Sequence, residues 1–175
     1  MSEKDLSLEG RVVLVAGASR GIGEAAAKRM ARNGAMVICS SRKIADCERV
    51  AEEIKAEGGK ARAMVLHLGE AEHREAAMAS IKQHEGRLDV LVNNGATSPY
   101  FGEAKDTPED AWDKTFDVNV KGPFFLSNLA INTFMKDQGK GSIINVASIN
   151  GMRPGYFQGA YSISKAAVIS LTQVL

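Results

Sequence analysis

Hydrophobic and polar positions along this chain fall into blocks that alternate between two periods. "RVVLVAG" is a short β-branched run, the pattern of a strand covered on both faces; "IGEAAAKRMARNG" follows at helical spacing and closes on Gly34. "AMVICSS" predicts a second strand and "ADCERVAEEIKAEGG" an amphipathic helix ending in two glycines. "ARAMVLHL" and "EAEHREAAMASIKQHEG" repeat the pair, and "LDVLVNN" is a fourth strand. Thr107-Pro108-Glu109-Asp110 reads as an N-cap, a proline at the first helical position and acids in the first turn. That helix is expected to run through Trp112 and Phe116, break at Gly122 and Pro123, resume through "FFLSNLAINTFMKDQ" and stop near Gly139. "GSIINVAS" is a fifth strand, and a last helix holding "AYSISKAAVISL" runs to the end of the chain.

Strand–helix alternation of this kind predicts an α/β fold: a doubly wound parallel sheet of Rossmann type, with helices on both faces in three α/β/α layers. The 175 residues suit one domain spanning 1–175. The sequence stops at "SLTQVL", inside an apolar helical pattern with no cap, so the expectation is a C-terminally incomplete domain.

Composition narrows the class only slightly. The chain is 45% hydrophobic and 25% charged with a formal net charge of +1, and no basic block or acidic tail stands out. Neither nucleic acid nor a membrane surface is an expected partner. "MSEKDLSLEG" has the character of neither a signal peptide nor a transit peptide, and Cys39 and Cys47 read as reduced structural residues, so the expected location is cytoplasmic. His67, His73 and His84 form no ligand-like spacing, and no metal is expected.

The 17 glycines need a backbone explanation, and the first strand supplies one. It runs into "AGASRGIGEAAAK", with Gly17, Gly21 and Gly23 between strand and helix. No Lys-Ser/Thr follows, which argues against a nucleoside-triphosphatase loop. In a first βαβ unit such glycines allow a tight turn, close approach of a pyrophosphate to the backbone, and a helix N-terminus facing its charge. At the end of the second strand an NAD site presents an acid to the ribose 2′-hydroxyl. Here the residues are "SSRK"; Arg42 there and Arg20 in the turn would meet a 2′-phosphate, which favours NADP(H) over NAD.

Tyr161 and Lys165 stand four apart, on one helical face. With three tyrosines and 12 lysines, a Tyr-x-x-x-Lys arises by chance about 0.2 times in such a chain. Context makes it specific. Ser148 in "INVASING" precedes Tyr161 by 13 residues, after "AGASRGIG", "LVNNGA" and "DVNVKGPF" in that order. Together these motifs resemble the short-chain dehydrogenase/reductase family from Leu8 to Leu175, with "SSRK" and "LHLGEAEHRE" most similar to its NADP-dependent carbonyl reductases.

The resemblance implies an oxidoreductase that moves a hydride between NADP(H) and a small-molecule carbonyl or secondary alcohol. It implies Tyr161 as general acid/base, Lys165 lowering the tyrosine pKa and holding the nicotinamide ribose, Ser148 bonding the substrate oxygen, and Asn119 supporting a water-linked proton path. It places Gly17, Ser19, Arg20, Gly21, Ile22, Gly23, Ser41, Arg42, Leu68, Asn94 and Gly95 along the cofactor, with Tyr161 and Lys165. It also implies a homodimer or homotetramer built on the two apolar helical regions. The physics agrees: a phenol pKa near 10 is too high for easy exchange at neutral pH, and a cation within about 4–6 Å can lower it by ~1–3 units. Phe101, Tyr156 and Phe157 are expected to give the substrate pocket an apolar wall.

The chain departs from the family pattern in places, and the resemblance implies that the C-terminal strands of the fold are lacking. Ala16-Gly17 stands where Thr-Gly is common, Gly95-Ala96 reverses the usual order, and His67 occupies the place of an aspartate near the adenine. A cofactor-binding regulatory protein of the same fold, without turnover, is the rival reading; the intact Ser148, Tyr161 and Lys165 argue against it.

Overall fold

The computed structural model describes residues 7–175; the first six positions of the polar N-terminal stretch lie outside the described residues. Five strands, β1 (Val12–Ala16), β2 (Met36–Ser41), β3 (Lys60–Val65), β4 (Val90–Asn93) and β5 (Ser142–Asn145), form one parallel sheet in the order β3-β2-β1-β4-β5. Register runs Val13↔Val37 and Val13↔Val90, so β1 is central and all five of its residues are buried.

Period-2 alternation sends successive strand side chains into two cores. Val13, Val15, Val37, Cys39 and Val92 pack under helices α1 (Gly21–Arg32) and α2 (Ile44–Ala56). Leu14, Ile38 and Leu91 face the other way, against α3 (Ala71–His84) and the central helical rod. Full burial of each of these three is worth about 1.5–3 kcal/mol. Cys39 and Cys47 are free thiols inside the first core, and burial pushes the Cys39 thiol up to about 12.

The rod corrects one expectation. Residues 109–138 stay helical throughout: α4 (Glu109–Phe116), a π turn Asp117–Lys121, α5 (Gly122–Ala130), a second π turn Ile131–Met135, and α6 (Lys136–Gln138). Gly122 and Pro123 do not break it. Proline has no N–H to offer the carbonyl four residues back, at Asn119, and the ladder is carried past that point by an i→i−5 bond from Gly122 N–H to Asp117 O. The N-terminus differs too. Pro108 is extended and precedes the first helical residue, and the Thr107 side chain makes no capping bond. The last helix, α7 (Gly159–Val174), packs on α4 and on the first π turn. No helix among the described residues is long and apolar enough to cross a membrane.

Candidate active site

In a doubly wound sheet the crevice opens at the carboxyl ends of the strands where their order reverses, here between β1 and β4. An open cleft of about 450 Å³ lies there. Its floor is the glycine turn. Gly17 has φ +94°, and a Cβ on it would fall 2.6 Å from the Gly95 backbone. A Cβ on Gly23 would collide with the Gly17 carbonyl and lie 2.6 Å from Asn94 Nδ2. The turn is tied down without a threonine hydroxyl: Gly17 and Ala18 N–H donate to Ser40 O at 2.8 and 2.9 Å, and Asn94 Nδ2 donates to Gly17 O at 2.8 Å. Gly95, in its reversed position, donates its N–H to Ala16 O at 2.7 Å.

Helix α1 starts at this turn with no side-chain cap on its first N–H groups. A glycine cradle under an uncapped helix N-terminus fits a pyrophosphate. The acid in that first turn, Glu24, is neutralised rather than left to repel phosphate. Hydrogen bonds from Arg49 and then Lys28 hold its carboxyl well below the usual range, at about 2. Arg49 also donates to Ser19 O at 3.1 Å, bracing the turn from α2. Arg20 and Arg42 are exposed at the cleft and make no side-chain hydrogen bond or ion pair among the described residues, so both guanidiniums are free to meet an anion.

The wall beyond Arg42 comes from the end of β3. His67 and Leu68 line it, and the Lys114 ammonium lies 3.3 Å from His67 Nε2. An ammonium only donates, so a neutral His67 carries its proton on Nδ1. That atom is buried without a partner, 3.8 Å from a Glu70 carboxylate oxygen. Burial, then the Lys114 charge, pushes the His67 pKa down. The His67 backbone N–H donates to His73 Nδ1 at 3.2 Å.

On the β5 side, α7 carries Tyr161 and Lys165. Lys165 is 4% exposed, donates to Val146 O at 2.7 Å, and holds Nζ 5.8 Å from the centre of the Tyr161 ring. Burial pushes its pKa down. With little water to screen it, its charge acts strongly on near neighbours. Ser148 ends the loop after β5, its Oγ accepting the Asn150 N–H at 3.2 Å. The turn Ile149–Gly151 rests on α7 so closely that a Cβ on Gly151 would lie 2.7 Å from the Lys165 carbonyl.

Asn119 joins the two halves. Its Oδ1 accepts Thr97 N–H at 2.8 Å, and its Nδ2 donates to Thr97 O at 2.9 Å and to Ser164 Oγ at 3.0 Å. Ser164 in turn donates to Tyr161 O at 2.7 Å. Thr97 lines the cleft, so one buried amide ties the helix that carries Tyr161 and Lys165 to the cleft wall. Phe101, Tyr156 and Phe157 form an exposed aromatic cluster that does not line this cleft. Phe157 makes edge contacts with both others and is the only non-glycine residue with positive φ, +59°, among the described residues.

Of the residues expected along a cofactor, Gly17, Ser19, Arg20, Gly21, Ile22, Ser41, Arg42, Leu68, Asn94 and Gly95 line this cleft. Gly23 lies beneath it, and Tyr161 and Lys165 stand apart from it, linked through Asn119. Leu66, His67, Ala96, Thr97 and Val118 complete the lining; of these the resemblance points only to His67, in the place of an aspartate near the adenine. Leu66 and His67 directly follow β3, and that strand-end position was the signal available in the sequence.

A family model described as short chain dehydrogenase matches residues 11–175. The chain is 40% identical over 168 residues to dehydrogenase/reductase SDR family member 4 of Bos taurus, covering 96% of this chain and 60% of the relative. It is 38% identical to the Homo sapiens protein of that name, covering all of this chain and 62% of the relative. The chain thus spans about three-fifths of the length of these relatives. A metagenomic short-chain oxidoreductase solved in complex with NADP superposes with a TM-score of 0.87 at 33% identity, over 95% of this chain and 75% of that one. A gluconate 5-dehydrogenase from Burkholderia cenocepacia, solved with NADP and tartrate, gives 0.92 at 27% identity, over 99% and 68%.

Proposed function

The chain belongs to the short-chain dehydrogenase/reductase family, and from that premise we propose that it is an NADP(H)-dependent oxidoreductase acting on a carbonyl or secondary alcohol. The observation that carries this reading is the link from the glycine cleft through Thr97, Asn119 and Ser164 to a helix holding Tyr161 beside a buried Lys165 ammonium.

Gly17 and Gly23 leave room for a pyrophosphate, and the start of α1 faces its charge. When bound, the nicotinamide supplies or accepts the hydride. Tyr161 gives a proton to the carbonyl oxygen in reduction and takes it back in oxidation. The Lys165 ammonium, 5.8 Å from the centre of the ring, stands beside the phenol through that exchange. The Val146 carbonyl occupies one ammonium hydrogen and leaves others for ribose hydroxyls. Ser148 holds the substrate oxygen, and the exposed aromatic cluster of Phe101, Tyr156 and Phe157 supplies an apolar substrate wall. Mixing the protein with NADPH and a panel of ketones and aldehydes tests the reading by cofactor absorbance. Tight NADPH binding with no oxidation across the panel would instead favour a binding protein without turnover.

The choice of NADP rests on two unpaired arginines and the absence of an acid in "SSRK". Arg42→Asp is expected to shift the NADP/NAD preference toward NAD by about 10–10²-fold, the worth of one or two charge-assisted bonds. An unchanged ratio of kcat/KM values for the two coenzymes removes the argument.

The same reading includes a homo-oligomer. Phe116, Val120, Phe124, Phe125, Leu171 and Val174 line an open apolar groove of about 380 Å³ between the rod and α7. A second copy would cover it, and a monomer mass by light scattering at micromolar concentration would count against this.

A further inference from the structure

Arg74 is 4% exposed on α3 and has no carboxylate within ion-pair distance among the described residues. It makes one side-chain hydrogen bond, from Nη1 to Leu68 O at 2.5 Å. Its Nε is buried with no partner, and its guanidinium carbon lies 5.7 Å from the centre of the Phe125 ring. Burying a guanidinium with no paired acid is costly, and a methionine would fill similar space without that cost. Simple packing does not account for it.

The group it holds does. Gly122 also abuts the Leu68 peptide, where a Cβ would lie 2.7 Å from the same carbonyl oxygen. The peptide is therefore held by a guanidinium from α3 and packed against the bare backbone of α5. That seating explains Gly122 better than a helix break does, because the helix is not broken. Leu68 and its neighbour His67 form the cleft wall next to Arg42. We infer that Arg74 is a positioning residue for the dinucleotide: its guanidinium fixes the Leu68 peptide and so the His67–Leu68 wall that meets the adenosine half.

This rests on the cleft being a dinucleotide site, and the experiment separates the two claims. Calorimetric titration with adenosine 2′,5′-bisphosphate reads the adenosine half alone. The parent protein is expected to bind it, and no binding would overturn the cleft reading and this inference together. Arg74→Met is expected to weaken that binding by about tenfold or more, with the thermal midpoint held or raised because an unpaired buried charge is gone. Arg74→Lys, which restores a donor, recovers part of the affinity. In turnover the loss falls on KM for NADPH more than on kcat. Parent-like affinity in Arg74→Met, within twofold, overturns the inference alone, as does a loss that Arg74→Lys does not improve. Should Arg74→Met not fold, Gly122→Ala decides by pressing on the same peptide: weakened bisphosphate binding supports the inference and parent-like binding overturns it.

Discussion

Tyr161→Phe is expected to bind NADPH as tightly as the parent and to turn over at least ~10²-fold more slowly. The substitution removes one oxygen and leaves the ring that packs near Lys165 Nζ. It leaves the clamp below untouched, because Ser164 bonds to the Tyr161 backbone carbonyl and not to the phenol. Binding and chemistry therefore separate at this position. Stopped-flow turnover with an active carbonyl substrate, beside fluorescence titration of NADPH, measures both. Near-normal turnover would show that another group handles the proton.

The second large effect is expected at the floor of the cleft. Gly17→Ala should weaken NADPH binding by at least about 10²-fold, a loss of two or more charge-assisted contacts to phosphate. Two causes act together. A left-handed backbone at φ +94° costs a non-glycine residue roughly 1–2 kcal/mol, and the new methyl would sit 2.6 Å from Gly95 Cα and N, so the turn must move off the sheet edge. Gly139→Ala isolates the first cause. Gly139 also has positive φ, +63°, but it closes α6 away from the cleft with nothing near its Cβ position. It should lower the thermal midpoint slightly and keep NADPH binding. Equal losses in the two variants would mean that backbone strain, and not the cradle, accounts for the effect.

The sheet and the glycine turn were legible in the sequence because their causes are local. β1 is apolar at every position since both of its faces are covered, and strand, glycines and helix follow within one short stretch. The spacing of Tyr161 and Lys165 is likewise a property of one helix. What the sequence hid depends on contacts between distant segments. Asn119 reads in the sequence as standing at a helix break, but the helix runs on through it. Its side chain bonds to Thr97, 22 residues away, and Ser164, 45 residues away. Gly122 reads as a helix breaker until the Leu68 carbonyl is seen against it. Ala16 in place of threonine leaves no gap in the turn, since Asn94 and the Ser40 carbonyl hold it from across the sheet. No periodicity carries information of that kind.

The relative positions of phenol and cofactor decide the central claim most directly. In a crystal structure of the protein with NADP⁺, the account predicts the dinucleotide along the cleft between β1 and β4, and Tyr161 Oη within about 4 Å of where a carbonyl oxygen would sit over the nicotinamide. A Tyr161 hydroxyl turned away from the ring in every copy of an active enzyme would contradict it.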